Sequence, residues 1–147
     1  MKFPTVEWFQ ALEQQAQQRV ETFRRLGFCD AAVGIKVQAE GRLGEDRGFL
    51  LGFDGYRCKS VEATAEPEKL ADFVLEGKYG AWREMIENIT ANGGPDLKHT
   101  LNYLTLPGDP IRIIAGDQLK QDLFFRYNST LQEFFNGAQH VETEFSG

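Results

Sequence analysis

Two cysteines and two histidines in 147 residues leave little for metal or thiol chemistry. Cys29 and Cys58 are far apart, with no Cys-x-x-Cys and no histidine at ligand spacing, so neither a metal site nor a disulfide framework is indicated. Buried free thiols are the expected state, and a pairing across neighbouring strands is the alternative. Around His99 and His140 no Ser/His/Asp order stands out. Long apolar runs are also lacking: nothing approaches the ~20 residues of a membrane span, and the opening Met-Lys-Phe-Pro-Thr-Val-Glu-Trp has no continuous apolar core of a signal peptide. Basic residues are few, 16 Lys and Arg against 22 Asp and Glu, for a formal charge of −6. That balance argues against a nucleic-acid partner, whose phosphates need a Lys/Arg surface, and disfavours an anionic membrane surface. The ending Phe145-Ser146-Gly147 carries no peroxisomal address. The expectation is a cytoplasmic protein with no metal, no cofactor and no stable membrane insertion.

Aromatics are plentiful, with twelve Phe, four Tyr and two Trp. A chain of this length fits one domain and buries about 68 to 70% of the surface its unfolded form exposes. The expected domain is residues 1–147, with a core over about 5–136 and a frayed, acidic tail from Gly137 onward.

Thr5 is placed as an N-cap, and Val6, Phe9, Leu12, Ala16, Val20 and Phe23 recur at helical spacing until Gly27, predicting one helix of about six turns. Residues 29–39 alternate, with Ala31, Val33, Ile35 and Val37 on one face. Phe49, Leu51 and Phe53 share a parity over 47–54, Asp54-Gly55 is a hairpin-type turn, and 56–64 is the returning strand. A fourth strand spans 72–76, and Trp82, Met85, Ile86 and Ile89 then fall on one side of a helix. Asn92-Gly93-Gly94-Pro95 ends it. Asp96 caps a further helix carrying Leu97, Leu101 and Leu104 up to Pro107, and 111–115 is the fifth strand. Five strands, a central hairpin and clustered helices predict an α+β layer fold, one sheet covered on one face by helices.

The most informative stretch follows that last strand. Asp117 is placed to cap a helix on which Leu119, Leu123, Phe134, Tyr127, Leu131, Phe124 and Phe135 form an apolar stripe about 160° wide, well beyond the ~100° an ordinary core-facing helix needs. Such a helix enters a deep core, docks a partner or a second copy of itself, or walls a cavity for a hydrophobic ligand. Lys120 falls inside the stripe, where a solid core does not welcome an ammonium group. It either snorkels outward or stands at the mouth of a ligand site, paired with a head group.

Ala71-Asp72-Phe73-Val74-Leu75-Glu76-Gly77-Lys78-Tyr79-Gly80-Ala81-Trp82, taken with Ile113-Ile114-Ala115-Gly116-Asp117 before the closing helix, resembles the sterol carrier protein type 2 family. The likeness in element order covers about residues 5–136. It implies a five-stranded, mostly antiparallel sheet and helices enclosing an apolar tunnel for a fatty acyl chain, acyl thioester, sterol or phospholipid, with no catalysis by the lone domain. Two features depart from the family's pattern: Asp109-Pro110 lengthens the stretch from Gly108 to Gly116, and the connection over 90–107 is longer.

On that reading the tunnel is lined by Phe49, Leu51 and Phe53 from the sheet, by Trp82, Met85, Ile86, Ile89, Leu101, Leu104 and Ile113, and by Leu119, Leu123, Phe124, Tyr127, Leu131, Phe134 and Phe135. Lys120 is the head-group candidate, and no catalytic residue is assigned. The alternatives are a small α+β enzyme using a carboxylate buried in an apolar pocket, and a ligand-free interaction module built on the aromatic helix. A carboxylate deep among the apolar side chains is the sign that would favour the enzyme.

Overall fold

A computed structural model describes residues 1–146. In chain order its elements are β1 (Lys2–Phe3), α1 (Val6–Gln17), α2 (Val20–Leu26), β2 (Ala31–Gln38), β3 (Arg47–Asp54), β4 (Arg57–Ala63) and β5 (Phe73–Lys78). There follow α3 (Tyr79–Asn92), the single turn α4 (Leu101–Leu104), β6 (Arg112–Ile114), α5 (Gln118–Asn136) and β7 (Glu144–Phe145).

Five strands form one sheet in the order β4-β3-β2-β5-β6. The sheet is mixed: β2 pairs with β3, β3 with β4 and β5 with β6 antiparallel, while the central β2–β5 pair is parallel. In register, Leu51 faces Val33, which faces Phe73, and Phe49 faces Ile35, which faces Leu75. Because side chains alternate along a strand, these rows put Val33, Ile35, Phe49, Leu51, Phe53, Phe73 and Leu75 on one face, and all are buried. The helices cover that face. Phe9 of α1 meets Phe49 at 4.8 Å, Phe134 of α5 meets Phe53 at 5.4 Å, and Phe124 meets Phe73 at 5.9 Å between ring centroids.

The opposite face is approached by the 3₁₀ turn Pro67–Lys69, whose Pro67 lies against Gly34 and Gly48. A Cβ on Gly48 would stand 2.2 Å from the Thr64 carbonyl oxygen, so no side chain fits there. Helix starts follow the sequence reading, because Thr5 and Asp117 each accept a backbone N–H three residues on, at 3.1 and 2.9 Å.

Three expectations are corrected. The first helix is not continuous: it breaks between Gln17 and Val20, and no Pro or Gly marks the break. A tertiary contact explains it, since Arg19 at the joint bonds the carbonyl oxygen and the carboxylate of Glu133 near the end of α5. The Leu97–Leu104 helix is also interrupted: a 3₁₀ turn over Leu97–His99 ends at Thr100, whose hydroxyl caps α4, leaving Leu97 exposed while Leu101 and Leu104 are buried. Over its described residues, 137–146, the tail is not frayed. Gly137–His140 is a 3₁₀ turn with Ala138 buried, and β7 lies parallel to β1 with Phe145 beside Phe3.

Candidate functional site

Side chains from α1, α3, α4, α5 and the sheet meet in one apolar interior. Trp82, Met85, Ile86 and Ile89 turn the same side of α3 inward and are fully buried. The Trp82 indole N–H is satisfied at the rim of this layer by the carbonyl oxygens of Gly77 and Lys36, at 3.1 and 3.3 Å, which leaves its ring to the apolar side. Trp82 and Phe135 lie 5.8 Å apart, and Phe135 also reaches Phe9 and Trp8 at 6.2 and 6.4 Å. Thr130 is the only polar or charged residue classed as buried among the described residues. The enzyme alternative requires a buried carboxylate, and no Asp or Glu is among these buried residues.

Of the residues read from sequence, Phe49, Leu51, Phe53, Trp82, Met85, Ile86, Ile89, Leu101, Leu104, Phe124, Leu131, Phe134 and Phe135 are brought together in this interior. Ile113, Leu123 and Tyr127 pack against it half-buried. Leu119 does not join them: at 80% exposure it points to solvent in the first turn of α5. The stripe is therefore narrower at its start than the helical wheel implies, since the first side chain of α5 that is fully buried is Phe124. Its next exposed apolar residue, Phe125, stacks edge-on against Phe124 at 5.4 Å.

Lys120 is exposed as well. It lines a groove of about 400 Å³ with Asp72, Val74, Ile114 and Asp117, and Val74 and Ile114 belong to the sheet face turned away from the helices. The groove does not open on the aromatic interior.

Interior residues that the sequence reading left out of the site include Phe3, Trp8, Phe9, Phe73 and Ile111. The α1 periodicity already contained Phe9, whereas Trp8 is buried by contacts with Phe3 and Phe9 that no period reveals.

A second feature lies at one end of α3. A groove of about 810 Å³ runs between α3 and the 98–112 segment, with Lys78, Lys98, Arg112 and Tyr103 among its walls and Ala81, Leu104 and Pro110 as its apolar part. His99, also in its wall, is held from both sides, Nε2 at 3.0 Å from Glu84 Oε1 and Nδ1 at 2.6 Å from Asp96 Oδ1. Hydrogen bonds from the imidazole to the Glu84 and Asp96 carboxylates push its pKa above its ordinary value, and the His99 bond holds the Asp96 carboxyl below its own. Nothing in the sequence joins these groups, since they come from separate segments. Among the described residues, no group of three or more His, Cys, Asp or Glu is placed to hold a metal ion, and no helix is long and apolar enough to cross a membrane.

A mixed five-stranded sheet with an aromatic helical layer on one face defines an α+β protein with an apolar interior. No family model matches the sequence, and no curated protein is significantly similar to it. Solved structures do match in fold. A crystal structure of sterol carrier protein 2 superposes with a TM-score of 0.71 at 19% identity, covering 94% of this chain and 98% of that one. A conserved hypothetical protein from Thermus thermophilus, provisionally designated a sterol carrier protein, gives a TM-score of 0.70 at 20% identity over 95% of this chain and 90% of that one. The apo form of sterol carrier protein 2 from Yarrowia lipolytica gives 0.51 at 15% identity, over 90% of each chain. The chain has the sterol carrier protein 2 fold.

Proposed function

We infer that the protein is a lipid-binding carrier of the cytoplasm, holding a fatty acyl chain, acyl thioester, sterol or phospholipid between its helical layer and the sheet face of Phe49, Leu51 and Phe53. The observation that carries this reading is the interior itself. Four helices, α1, α3, α4 and α5, and the sheet meet through aromatic and aliphatic side chains, with Thr130 as the one buried polar residue among those described, the kind of lining that hydrophobic ligand pockets use. The sterol carrier protein 2 fold adds support, because the neighbours bearing that name share nearly the whole chain.

These side chains pack on one another, so on this reading a ligand enters by displacing α5 and the neighbouring 93–111 segment outward. Met85, deep in the layer, has a flexible thioether chain that re-packs readily. Carriage without catalysis is the reading that a core free of buried carboxylates favours. A second copy of the chain is not needed to complete the interior.

Native mass spectrometry and organic extraction of the purified protein test the proposal. A co-purifying acyl or sterol species, or saturable uptake of a fluorescent fatty acid, is the expected result. Protein that is repeatedly empty and takes up no such probe would sink the reading.

A further inference from the structure

The groove beside α3 combines two properties that the aromatic interior lacks. It has cations at its edge, and its apolar part leads inward. Lys78 ends β5, Lys98 lies in the 3₁₀ turn before α4, and Arg112 begins β6, so three cations converge on one groove in a chain of net charge −6. Two of the three carboxylates that share the groove are already engaged: Glu40 accepts the Gly80 N–H at 2.7 Å, and Glu84 faces His99. Asp109 is the third. Arg112 has only a loose approach to Glu76, at 3.9 Å.

Beneath the cations, Ala81 of α3 and Leu104 of α4 form the groove's apolar part, and both pack against the interior that contains Trp82, Leu101 and Ile111. The outer wall is the 93–111 segment. Few side-chain bonds hold it: Asn88 bonds Asp96, Glu84 reaches His99, and the side-chain carbonyl oxygen of Gln132 accepts the Leu101 N–H at 2.7 Å. Gly93 and Gly94 at one end and Gly108 at the other have φ of 69°, 156° and 87°, values that glycine adopts without strain and other residues do not.

Building on the carrier reading, we propose that this groove is the entry and head-group site for a single-chain anionic lipid. Lys78, Lys98 and Arg112 take its carboxylate or phosphate, and the chain passes between Ala81 and Leu104 toward Trp82. A volume of about 810 Å³ suits such a molecule, since pockets for small ligands span ~300–1,000 Å³. Charge-assisted contacts at the mouth and a dry interior beyond match the two ends of an amphiphile.

The test is titration of the full-length protein with oleate, oleoyl lysophosphatidic acid and oleyl alcohol, which share one chain and differ in head group. The double variant Lys98→Glu, Arg112→Glu changes exposed side chains and is expected to keep the wild-type melting temperature. It should bind one or both anionic lipids about tenfold or more weakly, and the alcohol within about twofold of wild type. Loss for oleate alone assigns a carboxylate head, and loss for both assigns any anionic head. Ala81→Trp, which fills the apolar part of the groove, is expected to weaken all three ligands. Unchanged binding of both anionic lipids by the double variant, equal losses for acid and alcohol in it, or unimpaired uptake by Ala81→Trp would each overturn the groove while leaving the carrier reading in place. Wild-type protein that binds none of the three ligands would remove both.

Discussion

The indole N–H of Trp8 donates to the Thr143 hydroxyl at 3.0 Å, tying the first helix to the penultimate stretch of the chain. Around this bond the two ends interlock: the Glu144 N–H reaches Met1 O at 2.8 Å, the Ser146 N–H reaches Phe3 O at 3.0 Å, and Phe145 packs edge-on to Phe3. Truncation after His140 removes the partner strand and uncovers the fully buried Phe3 and Trp8. Each large apolar side chain returned to water costs about 1.5–3 kcal/mol, so with two uncovered the midpoint of thermal unfolding should fall by on the order of 10 °C or more. A midpoint within about 2 °C of the full chain would show that these contacts contribute little.

Leu123 and Leu131 lie two turns apart on α5 and differ in packing, Leu131 fully buried and Leu123 half-buried. Overfilling a packed site costs about 1–3 kcal/mol, so Leu131→Trp should lower the midpoint by several degrees, about 2–6 °C per kcal/mol. Leu123→Trp should leave it nearly unchanged and block lipid uptake by occupying ligand volume. Differential scanning fluorimetry and a fatty-acid uptake assay on both variants decide the matter. Equal destabilisation with uptake intact would make Leu123 ordinary core.

His99 binds its proton more tightly in the folded state than in the unfolded chain, because Glu84 and Asp96 flank its ring. Its contribution to holding the 93–111 segment is therefore complete below the ordinary value of 6.5 and is lost as pH rises through the raised value. Amide protection over residues 93–104, corrected for the intrinsic base-catalysed rise of exchange with pH, should fall across that window, and His99→Gln should flatten that response. An NMR titration that places the His99 midpoint at or below the ordinary imidazole value would refute this.

Burial pushes the thiols of Cys29 and Cys58 up to about 12, with Asp30 adding to the effect at Cys29 and Glu13 at Cys58. The thiolate is the reactive form, so neither should react appreciably with an aromatic disulfide reagent at about pH 7–8 until the chain is unfolded. Prompt titration of either thiol in native protein would contradict the burial.

The amino-acid order by itself determined the local elements and the class of fold. Alternation at 31–37 and 49–53 and the 3.6-residue recurrence of Trp82, Met85, Ile86 and Ile89 are period signals that each segment carries alone, and Thr5 and Asp117 mark helix starts through side-chain oxygens that act within one turn. Most of the interior was legible for the same reason, since a residue on an apolar face has to be covered by something.

What only the tertiary structure decided depends on groups distant in sequence. The break at Gln18-Arg19 exists because Arg19 finds Glu133, and the tail is ordered because its backbone finds β1. Leu119 stays in water because nothing covers the first turn of α5 on that side, a fact that a helical wheel does not contain. The parallel β2–β5 pair requires the chain to cross over before pairing, and it makes the sheet mixed. The groove of Lys78, Lys98 and Arg112 forms where the ends of two strands and a 3₁₀ turn converge on α3. A periodicity reports which side of one element is apolar, whereas a site of this kind is set by how separate elements are placed in space.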